Sequence, residues 1–293
     1  MKRLAILAGA FCLFSLLRVG PSAGGDGVKA PLLIGMPQSM LVDSGDAVDV
    51  VEEKLAKLMK EFTGLDGKLH IEKGPFELAR QLEDKKVQLG VFQGIEFAWV
   101  QKKHPQLKPF MVAISDIKDK DKEHLRVLLI VREDSKAKDF GDLKGQTLSF
   151  PKKSKEHVRA YLTRNVPQAE KYFKAVVHSA SVESGLDELV ASKCDAIVAD
   201  KTAVDFYRFL KPGAFRKLKV IQTSEPFPVG VVAYLQGALD AKTLERIEKG
   251  MLKANTSERG QDLMGTWGIA AFEEVFKSFE ADLEATRKLY PAP

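Results

Sequence analysis

After Lys29 the chain alternates between short β-rich runs and segments with helical periodicity, and this pattern limits the possible folds more than any other feature. The runs lie at 32–34, 69–71, 89–92, 127–131, 147–150, 175–177, 196–198, 218–221 and 229–233. Between them, Val48, Val51, Leu55, Leu58 and Phe62 keep an i, i+3/i+4 spacing that Gly64 closes. Pro75 opens a second helix with Leu78, Ala79 and Leu82 on one face. Val182, Leu186, Leu189 and Val190 mark a third helix, and Leu244, Ile247 and Met251 a fourth. Such alternation predicts an α/β fold with largely parallel sheets flanked by helices.

The alternation falters twice. A charged tract at 118–122 runs straight into a long strand candidate at 124–132, and Ser224-Glu225-Pro226-Phe227-Pro228 punctuates the stretch between two later strands. Taken singly, a charged surface loop and a proline turn are the plain readings. Taken together they predict two lobes joined by a two-segment hinge. Residues 28–115 plus 226–290 would form lobe 1, and 116–225 lobe 2.

Lys2 and Arg3, the apolar run from Leu4 to Leu17 and the small residues around Ser22 to Gly25 have the layout of a secretory signal peptide, taken as 1–24. Arg18 ends the apolar run short of the ~20 residues that span a bilayer. Export to the periplasm follows, with a mature N-terminus within Ala23 to Asp26. Three of the 45 Lys and Arg residues leave with the leader, so 42 face 40 Asp and Glu. That near-neutral balance argues against nucleic acid as a partner. Cys194 is the one cysteine left, so no disulfide forms within the mature chain.

In open α/β sheets ligands bind beyond the carboxyl ends of the strands, where helix N-termini favour anions. The loops placed there are Met36 to Met40 and Gln93 to Phe97 in the first lobe. In the second they are Pro151 to Ser154, His178 to Ser181 and Asp200 to Thr202. Pro151 stops a strand and Ser154 is placed to cap the next helix, which gathers Lys152, Lys153 and Lys155 at its N-terminus with His157 one turn in. Lysines there oppose the helix dipole unless an anion offsets them; a solvated basic loop is the bland alternative. Gly94 lacks a side chain and would let a ligand approach the backbone. The candidate ligand residues are Ser39, Gly94, Glu96, Phe97, Lys152, Lys153, Ser154 and Asp200. Phe92, Phe97 and Trp99 also fit a core.

Asp139 to Phe150, with the strands Val87 to Phe92 and Lys193 to Asp200, resembles the phosphonate-binding (PhnD-like) periplasmic proteins of ABC transporters, with agreement in spacing from Ile34 to Leu289. The resemblance implies a two-lobed type II periplasmic-binding-protein fold. It also implies capture of a small phosphonate- or phosphate-like anion for an inner-membrane ABC permease, by a monomer without cofactor or metal. Asp200 falls at the family's acidic position, which can meet a ligand's amino group. Two loops depart from the family pattern: Lys152-Lys153-Ser154-Lys155 replaces a hydroxyl-rich loop, and Phe97 replaces a tyrosine.

Catalytic motifs occur without their partners. Asp139-Phe140-Gly141 has no kinase glycine loop or catalytic loop, and Pro151 disrupts the helical turn that Ser149-Phe150-Pro151-Lys152 would need. Cys194 sits at the start of a strand, where a buried structural thiol is expected. The five histidines show no zinc-like spacing. The expectation is a binding protein and not an enzyme. A sensor input for a membrane receptor kinase is the alternative use of such a module.

Overall fold

The computed structural model describes residues 30–40, 48–115, 119–265 and 267–293; the predicted leader lies outside them. In chain order the first lobe's elements are β1 (Leu32–Pro37), α1 (Val48–Leu58), β2 (Gly67–Glu72), α2 (Pro75–Glu83), β3 (Leu89–Phe92), α3 (Gly94–Lys103) and β4 (Leu107–Ile114). A short β5 (His124–Leu125) leads to β6 (Val127–Arg132), β7 (Thr147–Ser149), α4 (Glu156–Asn165), α5 (Ala169–Tyr172), β8 (Ala175–Val177), α6 (Val182–Val190), β9 (Ala196–Asp200), α7 (Lys201–Leu210), α8 (Pro212–Phe215) and β10 (Leu218–Thr223). The chain returns through β11 (Phe227–Pro228) to β12 (Gly230–Leu235), α9 (Ala241–Ala254), α10 (Glu258–Gly265), β13 (Ala271–Glu274) and α11 (Phe279–Leu289).

Two sheets result, ordered β13-β4-β12-β3-β1-β2 and β10-β6-β9-β7-β8. Most strands in each sheet run one way, but β12 pairs antiparallel with both β3 and β4, β13 with β4, and β6 with both β9 and β10. Of these, β6 and β12 are the first sheet strands after each passage between lobes. A strand arriving from outside inserts directly, with no crossover helix to turn it parallel. The sheets are therefore mixed where periodicity predicted them largely parallel. A small antiparallel ribbon, β11 on β5, carries the passage itself.

Residue alternation sends the two faces of each strand into different cores. On the first sheet Ile34 and Leu89 pack among residues of α1, α9 and α10, while Phe92, Val112 and Val231 pack with α2, α3 and α11. On the second, Leu128, Ile130 and Ile197 meet α6 and α7, while Val127, Leu129 and Val198 meet α4. With both faces covered, β6 reads as a nearly continuous apolar run.

Local signals behave as the sequence suggested at two helix ends. Gly64 takes a left-handed φ of 67° after the first helix, which finishes in a π turn (Met59–Thr63), and Pro75 occupies the first turn of α2.

Candidate ligand site at the lobe junction

The carboxyl ends of β1, β3 and β4, with the start of the intervening antiparallel β12, bring Met36, Gln93, Ser115 and Gly230 to one edge of the first sheet. Lys155 faces them from the second lobe, and Leu125 of the connecting ribbon completes this end. From here a cavity of about 320 Å³ runs back beneath the sheet face that α1 and α9 cover. It falls at the lower end of the ~300–1,000 Å³ typical of small-molecule sites. Left inside a closed core, a void of that size would cost on the order of several kcal/mol.

Lys155 is the cation at the junction. It is the N-cap residue of α4, with extended backbone and no capping bond from its side chain. Its ammonium makes no hydrogen bond or ion pair among the described residues, yet lies close enough to Asp200 to favour that group's charge. Beside it the Gln93 side chain reaches across from the first lobe, its Oε1 accepting the Glu156 N–H at 2.9 Å. A first-lobe loop thus ties down the first turn of a second-lobe helix. Behind Gln93, Glu96 accepts the Ser39 hydroxyl at 2.7 Å and the Gln93 N–H at 3.1 Å. Ser39 and Glu96 are therefore brought together, and they hold the Gln93 turn in place.

A buried pair supports the second-lobe side. Asp200 ends β9 and caps α7, with Oδ1 accepting the Ala203 N–H at 3.2 Å and Oδ2 lying 2.8 Å from His157 Nε2. Burial alone would raise the Asp200 carboxyl, but Lys155, the His157 hydrogen bond and the capping N–H hold it well below the usual carboxylate range. Burial outweighs the pull of Asp200 on His157 and keeps the imidazole below its ordinary pKa. The neutral ring then donates Nε2–H to an ionised carboxylate, which can only accept. The ring also packs 5.4 Å from Phe227 of the connecting ribbon.

Several expectations about individual residues change. The segment Gln93 to Phe97 is not a loop, because α3 already begins at Gly94. The space a Gly94 side chain would fill is taken by the connecting strand: a Cβ would lie 2.1 Å from the Pro228 carbonyl oxygen and 2.4 Å from that of Val229. The close approach there is chain to chain. Phe97 is fully buried in the core, 5.7 Å from the Phe92 ring. Ser154 does not cap α4; its hydroxyl donates back to the Pro151 carbonyl at 2.7 Å. Lys152 and Lys153 are exposed on the preceding turn and form no part of the cavity wall, so the cation there is Lys155. Each Asp200 oxygen accepts one hydrogen bond within the protein, which gives the buried carboxylate a structural role as the cap of α7 and the partner of His157.

Sequence reasoning missed Gln93, Ser115 and Lys155 as a group. The available signal was positional, since each lies within a residue of a strand or helix terminus at the same edge. Cys194 is buried, and burial together with nearby Glu188 and Asp195 pushes its thiol up to about 12, away from nucleophilic chemistry. Among the described residues no group of three His, Cys, Asp or Glu is placed to hold a metal, and no helix is long and apolar enough to cross a membrane.

Comparison with known proteins agrees with this architecture. No curated protein sequence matches the chain. Among solved structures, XAC2383 from Xanthomonas citri, bound to ATP, superposes with a TM-score of 0.60 at 15% identity, covering 89% of this chain and 97% of that one. PhnD1 from Prochlorococcus marinus, in complex with methylphosphonate, gives 0.59 at 12% identity, covering 88% and 97%. A binding-protein component of an ABC phosphonate transporter from Pseudomonas aeruginosa gives 0.56 at 17% identity, covering 88% and 85%. At these identities the structures establish a shared two-lobed periplasmic-binding-protein fold. The family model for the periplasmic phosphonate substrate-binding protein of ABC transporters matches residues 44–278. The chain therefore belongs to the phosphonate-binding family of periplasmic substrate-binding proteins of ABC transporters, a family of binding proteins and not of enzymes.

Proposed function

We propose that this protein captures one small phosphonate- or phosphate-like anion between its lobes and delivers it to an inner-membrane ABC permease. The observation that carries the reading is Lys155, a cation with no side-chain partner among the described residues, set at a helix N-terminus opposite the carboxyl ends of β1, β3 and β4. Gln93 and Ser115 add hydrogen-bonding groups at the same edge, with Ser39 and Glu96 behind them. Lys152 and Lys153 contribute at longer range, as positive charge beside the entrance. The methylphosphonate held by PhnD1 is the kind of ligand this arrangement suits. The lobes are assigned as 28–115 plus 226–290 and 116–225, in keeping with the residues each sheet draws on. Export on the leader 1–24 and action as a monomer complete the proposal. The family description names transport, which does not favour a sensor role.

Native mass spectrometry of the protein recovered from the periplasm tests this reading. One anion per chain is expected in the wild type, none in Lys155→Met, and a loss of only a few fold in a Lys152→Ala, Lys153→Ala double variant. An anion retained equally by Lys155→Met would overturn the assignment of the cation.

A further inference from the structure

We infer that the cavity beneath the first sheet takes the hydrocarbon body of an amphiphilic anion whose charged head sits at Lys155. This rests on the anion-capture reading and adds the ligand's other half. The wall is strongly segregated. Gln93, Ser115 and Lys155 gather at the junction, and Lys155 is the one charged side chain among the described residues lining the cavity. Away from that end the lining is aliphatic and aromatic, continuing between Val51 and Leu55 of α1, Ile247 of α9 and Phe110 of β4. A ligand as small as methylphosphonate would be satisfied at the polar end and would leave the rest of the cavity unused.

The make-up of the wall points the same way. Five of the chain's seven methionines line this one cavity: Met36, Met40, Met59, Met111 and Met251. Unbranched thioether side chains adapt to apolar guests of varying shape, and a wall rich in them suits a flexible chain better than a single rigid group. Trp267 also forms part of the wall, and its buried indole N–H has no acceptor among the described residues.

The test is a chain-length series of methyl-, butyl- and octylphosphonate, with octanol as the headless control. Binding would be followed by calorimetry and by tryptophan fluorescence, for which Trp267 is one of two reporters. Affinity is expected to rise about fourfold per added methylene until the cavity is filled. Octanol should bind at least tenfold more weakly than octylphosphonate. Ile247→Phe, which places bulk in the α9 side of the wall away from Lys155, should weaken octylphosphonate tenfold or more and leave methylphosphonate within twofold. Equal affinity along the series would overturn the tail assignment while leaving anion capture intact. Failure of every phosphonate to bind would overturn both. Should Ile247→Phe not fold, the wild-type series decides alone.

Discussion

At the scale of single residues, the Asp200–His157 pair links pH to stability. His157 is 1% exposed and titrates below its ordinary value because of burial. As pH falls through about 6.5, the unfolded chain takes up a proton that the native ring refuses, so stability falls with acidification. The loss approaches about 1.4 kcal/mol per pH unit for one such group. Asp200 works in the same direction at lower pH. Its folded pKa is depressed, so its contribution is present above about pH 4 and disappears as pH falls further. Urea unfolding at pH 7 and pH 5 should show the loss, and His157→Gln should flatten the dependence between those values. An unchanged pH dependence in the variant would show that His157 is not its source.

At the scale of elements, the start of α3 is fixed by close packing against the connecting strand. Gly94→Ala would drive a methyl group into the Pro228 and Val229 carbonyls, which are backbone and cannot rotate aside. A loss of roughly 1–3 kcal/mol is expected, read as a lower urea midpoint at unchanged slope; a midpoint equal to wild type would contradict the packing argument. The sequence marked Gly94 as special but could not say which chain approached it, because its neighbour lies more than 130 positions away. Most of the strands were legible as β-rich runs, but of the eleven helices described only five were, with Gly64 and Pro75 as punctuation; α7 and α11 went unread, and the start of α3 reads as a loop. Strand β4 was not. Pro109 interrupts its pattern, and the structure accommodates that proline at a bulge, where Val232 faces Met111 but Ala233 faces Pro109. The lysine cluster was legible as a helix N-terminus, but choosing Lys155 over Lys152 and Lys153 needed the turn geometry that exposes the latter two.

At the scale of the whole molecule, the lobes share more than their connecting ribbon. Ile95 and Trp99 of α3 join the same apolar cluster as Val127, Leu148 and Val158 of the second lobe. The Trp99 indole donates to the Tyr290 carbonyl at 2.8 Å, and Tyr290 and Arg164 both bond Glu225 beside the ribbon. The junction is thus fastened on the side of the C-terminal helix, and Gln93 and Lys155 meet where the two lobes face each other. Isothermal titration calorimetry of the leaderless protein measures directly the proposed grip of Lys155 on an anion at this junction. Saturable one-to-one binding of at least one phosphonate is expected, weakened by added salt and reduced at least tenfold in Lys155→Met at unchanged unfolding free energy. A Lys155→Met protein that binds the same phosphonate with wild-type affinity would contradict it.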